Sequence, residues 1–219
     1  GDWSSDVCSS DLSWAQYEVY HIFHLGSTVP AYALKPVDAS APPVLIFRGT
    51  VPPSLENLIN EPASIKTWEA DLDPNGVGNT QVQELREDLQ NWLSSHPNKA
   101  LLLGHSLGGG YATQTALMCH EQVQQVITFN APLARKEHKE FYDSLSIVPD
   151  FLNFSSCYDM ISKLGGGALI GAHFEISGVQ GLIGDIHSNL VFLAASSFAL
   201  QEVDVELANK SYHLEIGRA

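Results

Sequence analysis

The chain has 219 residues, of which 44% are hydrophobic and 16% are charged, and its 11 basic and 25 acidic residues give a net charge of −14 at pH 7. This length and composition exclude a disordered chain and are typical of one globular domain. The acidic surplus disfavours nucleic acid and anionic membranes as partners, and it leaves neutral or zwitterionic lipids open. The most apolar stretch, residues 190–200, is shorter than the ~18 residues of a membrane span.

The first twelve residues differ from the rest of the chain. Ser4-Ser5-Asp6-Val7 and Ser9-Ser10-Asp11-Leu12 are near copies separated by a single cysteine. The segment has neither helix nor strand periodicity, and it lacks the basic and apolar regions of a signal peptide. We therefore expect a non-native leader over residues 1–12 and a single α/β domain over residues 13–219.

The cysteine content is low. Cys8, Cys119 and Cys157 are too few for a disulfide framework, so we expect buried free thiols. This usage favours a reducing compartment such as the cytoplasm. The glycine-rich stretch at residues 165–171 is expected to be a loop rather than a phosphate cradle, because no Lys-Ser or Lys-Thr pair follows it.

Apolar runs alternate with helical patterns along the chain, as is typical of an α/β fold. The predicted strands are residues 17–23, 31–34, 43–47, 99–103, 123–129, 151–154 and 173–176. The predicted helices are residues 80–95, 109–120, 137–145 and 188–199. The first two strands are expected to form a hairpin, and 173–176 is expected to be the last strand. In helix 80–95, Thr80 and Gln83 have the spacing of a capping box.

Gly104-His105-Ser106-Leu107-Gly108 is a G-x-S-x-G pentapeptide between a predicted strand and a predicted helix. This order is typical of a nucleophile elbow, in which a strained turn exposes the serine hydroxyl above the sheet edge. The helix N-terminus then faces the negative charge that develops during acyl transfer. The pattern predicts an α/β-hydrolase fold, with a mostly parallel sheet, helices on both faces and Ser106 as nucleophile.

The acid and the base of such a site follow the serine in the order Ser, Asp or Glu, His. Asp159 follows the strand 151–154 and is the predicted acid. Asp143 lies within a predicted helix and Asp150 precedes the strand, so both remain alternatives. Asp159 itself also has an alternative reading as a solvated loop carboxylate.

Three histidines follow Asp159. His187 lies on a loop at the start of a predicted helix, a place from which a side chain can reach across the site, and it is the predicted base. His173 lies in an apolar run and is expected to be a core residue. His213 lies in a polar tail near the end of the chain and remains an alternative base.

An oxyanion hole needs two backbone N–H groups aimed at the tetrahedral intermediate. Leu107, which follows the nucleophile, is expected to supply one of them. The other is expected from Arg48-Gly49-Thr50, the loop after the strand 43–47, where Thr50 can add its hydroxyl. Residues 51–79 are open to two interpretations, a lid over the site or a helix packed on the core.

Four blocks of the chain resemble the successive motifs of the class 3 (fungal-type) lipase family. The blocks are Ile46 to Thr50, Gly104 to Gly109, Thr128-Phe129-Asn130-Ala131-Pro132, and Asp159-Met160-Ile161. Asp185-Ile186-His187-Ser188 also resembles the histidine block of the family. The resemblance implies the α/β-hydrolase fold, with Ser106, Asp159 and His187 as the triad and Thr50 and Leu107 as oxyanion donors. One departure is Ser162, which stands where the family has a proline.

The residues and the resemblance together predict a serine hydrolase of carboxylic esters, with an acylglycerol or a lysophospholipid as substrate. The chemistry needs no metal and no cofactor, and the only further partner expected is transient contact with a neutral lipid surface. A thioesterase or an acyltransferase would use the same residues. A lipid-binding module without activity is the alternative outside the enzymes.

Overall fold

The computed structural model describes residues 16–25, 28–49, 73–156, 159, 161–163, 167–177 and 211–215. Ten strands and four α-helices lie in these ranges. The strands are β1 (Tyr17–Leu25), β2 (Thr28–Pro36), β3 (Val44–Phe47), β4 (Ala100–His105), β5 (Val123–Phe129), β6 (Ala134–Arg135), β7 (Asp150–Ser156), β8 (Gly167–Ala168), β9 (Ala172–Ser177) and β10 (Ser211–Glu215). The helices are α1 (Asn79–Glu84), α2 (Arg86–Ser94), α3 (Leu107–Met118) and α4 (Lys136–Ser144).

Eight of the strands form one sheet in the order β1-β2-β3-β4-β5-β7-β9-β10. The pairs β1–β2 and β2–β3 are antiparallel, which confirms the predicted hairpin. From β3 to β10 every neighbouring pair is parallel. The carboxyl ends of β3, β4, β5 and β7 therefore meet at one edge of the sheet, where α/β proteins build their sites.

The core lies between this sheet and the helices. Leu45, Leu102 and Val126 on β3, β4 and β5 are all fully buried, and along β4 and β5 they alternate with half-buried neighbours. Helix α3 is buried along most of its length because its glycines and alanines allow close contact with the sheet. Helix α4 packs through Tyr142 against Phe151 of β7, on the same side of the sheet as α3.

The predicted helix 80–95 is two helices, which corrects the sequence interpretation. Leu85 separates α1 from α2 with φ −93° and ψ 5°. The predicted capping box is also wrong, because α1 has Gly78 at its N-cap and no side-chain cap from Thr80. Instead, Asp73 accepts a hydrogen bond from the Thr80 backbone N–H at 2.7 Å.

The end of the sheet differs from the prediction as well. Strand β9 is not the last strand, because β10 pairs with it in parallel. His213 therefore lies within a strand and not in a polar tail. The predicted glycine-rich loop contains β8, which pairs with β6. The predicted leader, the helix 188–199 and most of the segment 51–79 lie outside the described residues.

Cys119 follows α3 and is buried with a free thiol, as predicted for it. Burial raises the pKa of the Cys119 thiol to about 11, in spite of the charge of nearby Arg86. Cys8 and Cys157 lie outside the described residues. None of the helices that the structure describes combines the length and the apolar character needed to span a bilayer.

Candidate active site

Ser106 forms the turn between β4 and α3. Its backbone has φ 55° and ψ −129°, a conformation that costs a non-glycine residue about 1–3 kcal/mol unless its surroundings enforce it. Two hydrogen bonds hold the turn: the Ser106 N–H donates to the Phe129 carbonyl at 3.0 Å, and the Gly109 N–H donates to the Ser106 carbonyl at 2.8 Å. The strand, strained serine and helix match the geometry predicted for a nucleophile elbow.

The glycines of the elbow are required by backbone packing. A Cβ atom on Gly104 would lie 2.1 Å from the Gly108 carbonyl oxygen, and one on Gly108 would lie 2.3 Å from the carbonyl oxygen of Phe47. Both neighbours are backbone atoms that cannot rotate away. The two glycines thus let the backbones of β3, β4 and the start of α3 pack in direct contact, which a Cβ atom at either position would prevent.

The loop after β3 lies directly against the elbow. A Cβ atom on Gly49 would come within 2.8 Å of the His105 carbonyl oxygen and 3.4 Å of the Ser106 Cβ. Leu107, the predicted oxyanion donor, is the first residue of α3 and is fully buried. Its N–H belongs to the first turn of the helix, where backbone N–H groups have no partner within the helix. Thr50, the second predicted donor, lies outside the described residues.

Asp159, the predicted acid, follows the carboxyl end of β7 and has only 2% of its surface exposed. Its N–H donates to the Ser156 carbonyl at 3.0 Å. Its Oδ2 accepts a hydrogen bond from the Ser162 N–H at 2.7 Å, and the Ser162 hydroxyl donates to the Asp159 carbonyl at 3.1 Å. Asp159 is therefore not a solvated loop carboxylate, since a buried carboxylate needs such partners.

The two alternative carboxylates lie elsewhere. Asp143 is on α4, where its side chain is half exposed and accepts hydrogen bonds from Lys139 Nζ at 2.6 and 2.7 Å. Asp150 is the exposed first residue of β7, at the opposite end of that strand from Ser156. Of the three candidate acids, Asp159 alone is at the edge of the sheet that carries Ser106.

Two of the three histidines after Asp159 lie far from the elbow along the sheet. His173 on β9 is half buried, and its Nε2 lies 2.7 Å from the Ser155 hydroxyl. His213 is on β10, which is four strands from β4 and hence about 19 Å away at a spacing of ~4.8 Å per strand. No histidine side chain spans that distance. His187, the predicted base, lies outside the described residues.

The sequence interpretation assigned no role to two residues of this region. Ser162 departs from the family pattern, and its N–H donates a hydrogen bond to the Asp159 carboxylate. Asn130, directly after β5, is fully buried and has a φ of 46°. Asparagine tolerates this left-handed conformation, and the signals in the sequence were its position at a strand end and its place in the family block Thr128 to Pro132. In the described part of the chain, no group of three or more His, Cys, Asp or Glu side chains is arranged to hold a metal ion.

The fold and the elbow define the chain as an α/β hydrolase. The model of the class 3 lipase family matches residues 44–167, which is more than half of the chain and includes the elbow and Asp159. The chain therefore belongs to the class 3 lipase family. The matched region ends before His187.

The chain is also similar to a solved structure, the Lip2 lipase from Yarrowia lipolytica. The two share 19% sequence identity with a TM-score of 0.40, over 66% of this chain and 60% of the lipase. The chain thus spans less than two thirds of the length of that enzyme. No curated protein matches the chain significantly.

Proposed function

We propose that this chain is a serine hydrolase that cleaves lipid esters, such as acylglycerols or lysophospholipids, through an acyl-enzyme formed on Ser106. The observation that carries the proposal is the position of two buried polar residues at one edge of a parallel sheet. Ser106 has a positive φ between β4 and α3, and Asp159 is buried just beyond the end of β7. Membership of the class 3 lipase family supports ester chemistry.

In the proposed reaction, His187 accepts the Ser106 hydroxyl proton while the serine oxygen attacks the acyl carbonyl carbon. The Asp159 carboxylate orients the imidazole and stabilises the imidazolium that forms. The backbone N–H groups of Leu107 and Thr50 bind the oxyanion. The imidazolium then protonates the leaving alcohol, and a water molecule, deprotonated by His187, releases the acid and restores Ser106.

The choice of His187 rests on order along the chain and on elimination. His213 lies in β10, four strands from β4, and His173 lies in β9, three strands from β4, where its ring contacts Ser155. We expect His187→Ala to abolish turnover and His213→Ala to keep most of it. Loss of turnover in His213→Ala with normal rates in His187→Ala would show that the base is His213.

The nucleophile is tested by labelling the purified chain with a fluorophosphonate probe, together with hydrolysis of p-nitrophenyl butyrate. We expect the wild type to be labelled and Ser106→Ala to be neither labelled nor active. Ser155→Ala is the matched control, because Ser155 is buried like Ser106 and has the His173 ring at hydrogen-bond distance. We expect this control to keep its labelling.

Equal labelling of Ser106→Ala and the wild type would contradict the proposal, and so would a folded wild type that is not labelled. The latter result would favour a lipid-binding module without activity. The substrate class is tested by comparing oxygen esters, thioesters and acyl acceptors over a range of chain lengths. Faster turnover of thioesters, or transfer to an acceptor in preference to water, would replace the lipid esterase with a thioesterase or an acyltransferase.

A further inference from the structure

Asn130 has an unusual backbone conformation at a buried position. Among the described residues other than glycine, only Ser106 and Asn130 have a positive φ. Ser106 follows β4 and Asn130 follows β5, so the two strained residues are at the ends of neighbouring strands. Strain of this kind persists only where the surroundings enforce it, and it concentrates at functional sites.

The side chain of Asn130 supplies a hydrogen-bond acceptor at the end of β7, where the backbone pairing with β5 stops. The last pair of residues in the β5–β7 ladder is Phe129 and Phe154, and the Asn130 N–H adds one more bond, to the Phe154 carbonyl at 2.8 Å. Beyond that point, the Asn130 Oδ1 accepts a hydrogen bond from the Ser156 N–H at 2.9 Å and lies 3.4 Å from the Ser156 hydroxyl. Ser156 is itself buried.

Ser156 in turn holds the acid. Its carbonyl accepts the hydrogen bond from the Asp159 N–H at 3.0 Å. Only two hydrogen bonds thus separate the Asn130 side chain from the backbone of Asp159. A shift of Ser156 would move the start of the turn that carries the carboxylate.

The residues on either side of Asn130 contact the elbow. The Phe129 carbonyl accepts the Ser106 N–H at 3.0 Å. A Cβ atom on Gly109 would lie 2.2 Å from the Ala131 Cβ, so Ala131 packs against the first turn of α3. One short segment therefore touches the turn that carries the serine and the turn that carries the acid.

From these contacts we infer that Asn130 is a positioning residue, which holds the Asp159 turn in place relative to Ser106. The inference rests on the proposed function. Catalysis by a triad depends on geometry, and a displacement of about 1 Å can lower the rate by roughly 10²-fold. Asn130 acts on the Asp159 turn through Ser156, because two hydrogen bonds connect the three residues.

Three variants separate the role of the side-chain oxygen from that of the backbone. Asn130→Gly accepts a positive φ but leaves the Ser156 N–H without its acceptor. Asn130→Asp tolerates the same backbone and returns an oxygen to the Ser156 N–H. Asn153→Ala is the matched control, because the Asn153 amide on β7 donates to the carbonyls of Ile170 and Ala172 and accepts from the Thr128 hydroxyl, away from the Asp159 turn.

The measurements are kcat and KM for p-nitrophenyl butyrate, with thermal unfolding to verify that each variant is folded. We expect Asn130→Gly to lose about 10- to 100-fold in kcat with KM changed by less than about threefold, because the acid is displaced and the binding surface is not. Asn130→Asp is expected to recover at least part of that kcat. Asn153→Ala is expected to keep its kcat even where its unfolding temperature falls.

The inference is overturned if Asn130→Gly keeps the kcat of the wild type, or if Asn153→Ala loses as much kcat as Asn130→Gly. It is also overturned if Asn130→Asp is no better than Asn130→Gly, since the oxygen would then be irrelevant. In each of these cases, the proposed function still holds if the wild type has turnover that depends on Ser106. A wild type without such turnover overturns both proposals.

Discussion

The elbow around Ser106 and the turn around Asp159 are held in different ways. The elbow depends on close backbone contacts of its glycines, in which Gly104 lies against Gly108 and Gly108 lies against Phe47. The Asp159 turn depends on the Asn130 side chain, which reaches Ser156 across 26 positions of the chain. The first arrangement leaves one compact sequence motif, whereas the residues of the second are far apart in the chain. The two regions should therefore respond differently to substitution, with packing dominant in one and hydrogen bonds dominant in the other.

The largest effect is expected from Gly104→Ala. The new methyl group would lie 2.1 Å from the Gly108 carbonyl oxygen and 2.3 Å from the carbonyl carbon. Because these backbone atoms belong to the strained turn itself, we expect a loss of about 3 kcal/mol or more in the free energy of unfolding. Urea denaturation of the purified variant measures this loss.

Gly167→Ala separates steric overlap from backbone strain. Gly167 also has a positive φ, 79°, but among the described residues no heavy atom outside its chain neighbours lies within 4 Å of the position that a Cβ would take. The expected loss is only about 1 kcal/mol, which is the cost of a left-handed backbone for alanine. Equal losses in the two variants would mean that close packing does not define the elbow.

A smaller effect, confined to catalysis, is expected from Ser162→Pro. The Ser162 N–H donates to Asp159 Oδ2 at 2.7 Å, and the proline that the family has at this position cannot donate this bond. A hydrogen bond to a charged group contributes roughly 1.5 kcal/mol or more, so we expect kcat to fall about tenfold. Kinetics with p-nitrophenyl butyrate measure the change.

The matched control is Ser162→Ala, which keeps the N–H and loses only the hydroxyl bond to the Asp159 carbonyl. Its kcat is expected to stay within about twofold of the wild type, because the carboxylate keeps its donor. A Ser162→Pro variant with normal kcat would show that other groups suffice to hold the carboxylate.

The sequence predicted the elements that depend on local patterns. The strand 123–129 and the elbow were found because buried strands and G-x-S-x-G are continuous in the chain. Helix 80–95 was predicted as one element because α1 and α2 bury the same face, so the apolar period continues through the break at Leu85. The apolar periodicity of a sequence indicates which face of a helix is buried, but it does not indicate a local change of ψ.

Non-local partners could not be predicted in this way. Strand β10 is polar, and its place in the sheet comes from its pairing with β9. Asp159 was predicted from its order after Ser106. The hydrogen-bond partners of its turn were not predicted, because Asn130 and Ser156 are 26 positions apart in the chain. The roles of Ser106, Asp159, Leu107, His187 and Thr50 are all proposals, and the last two residues lie outside the described part of the chain.

The smallest effect is expected from Asp73→Ala, which tests how far the elbow depends on distant support. Asp73 accepts hydrogen bonds from the N–H groups of Thr80 and Asn75, at 2.7 and 2.8 Å. This loop packs against α3, where a Cβ on Gly78 would meet the Tyr111 ring at 2.6 Å. Because Asp73 is partly exposed to solvent, we expect the loss of these two hydrogen bonds to lower the free energy of unfolding by about 0.5–1 kcal/mol.

The pH dependence of that loss identifies its cause. Burial acts to raise the pKa of Asp73, but hydrogen bonds from Thr80 and Asn75, together with the charge of Arg135, lower it below the ordinary value of 3.8. The carboxylate therefore stabilises the fold fully above pH 3.8, and this contribution is lost as the pH falls through the lowered pKa. Thermal unfolding should show wild type and Asp73→Ala differing at neutral pH and converging in strong acid.

The control for this comparison is Asp38→Ala. Asp38 also accepts a backbone N–H two residues ahead, from Ser40 at 2.9 Å, and its pKa is likewise lowered by this bond, but it lies between β2 and β3. If distant support matters to the elbow, Asp73→Ala lowers the temperature at which hydrolysis stops and Asp38→Ala does not. If the two variants behave alike, the elbow maintains its geometry without the loop before α1, and its contacts with β3 and β5 suffice to hold it.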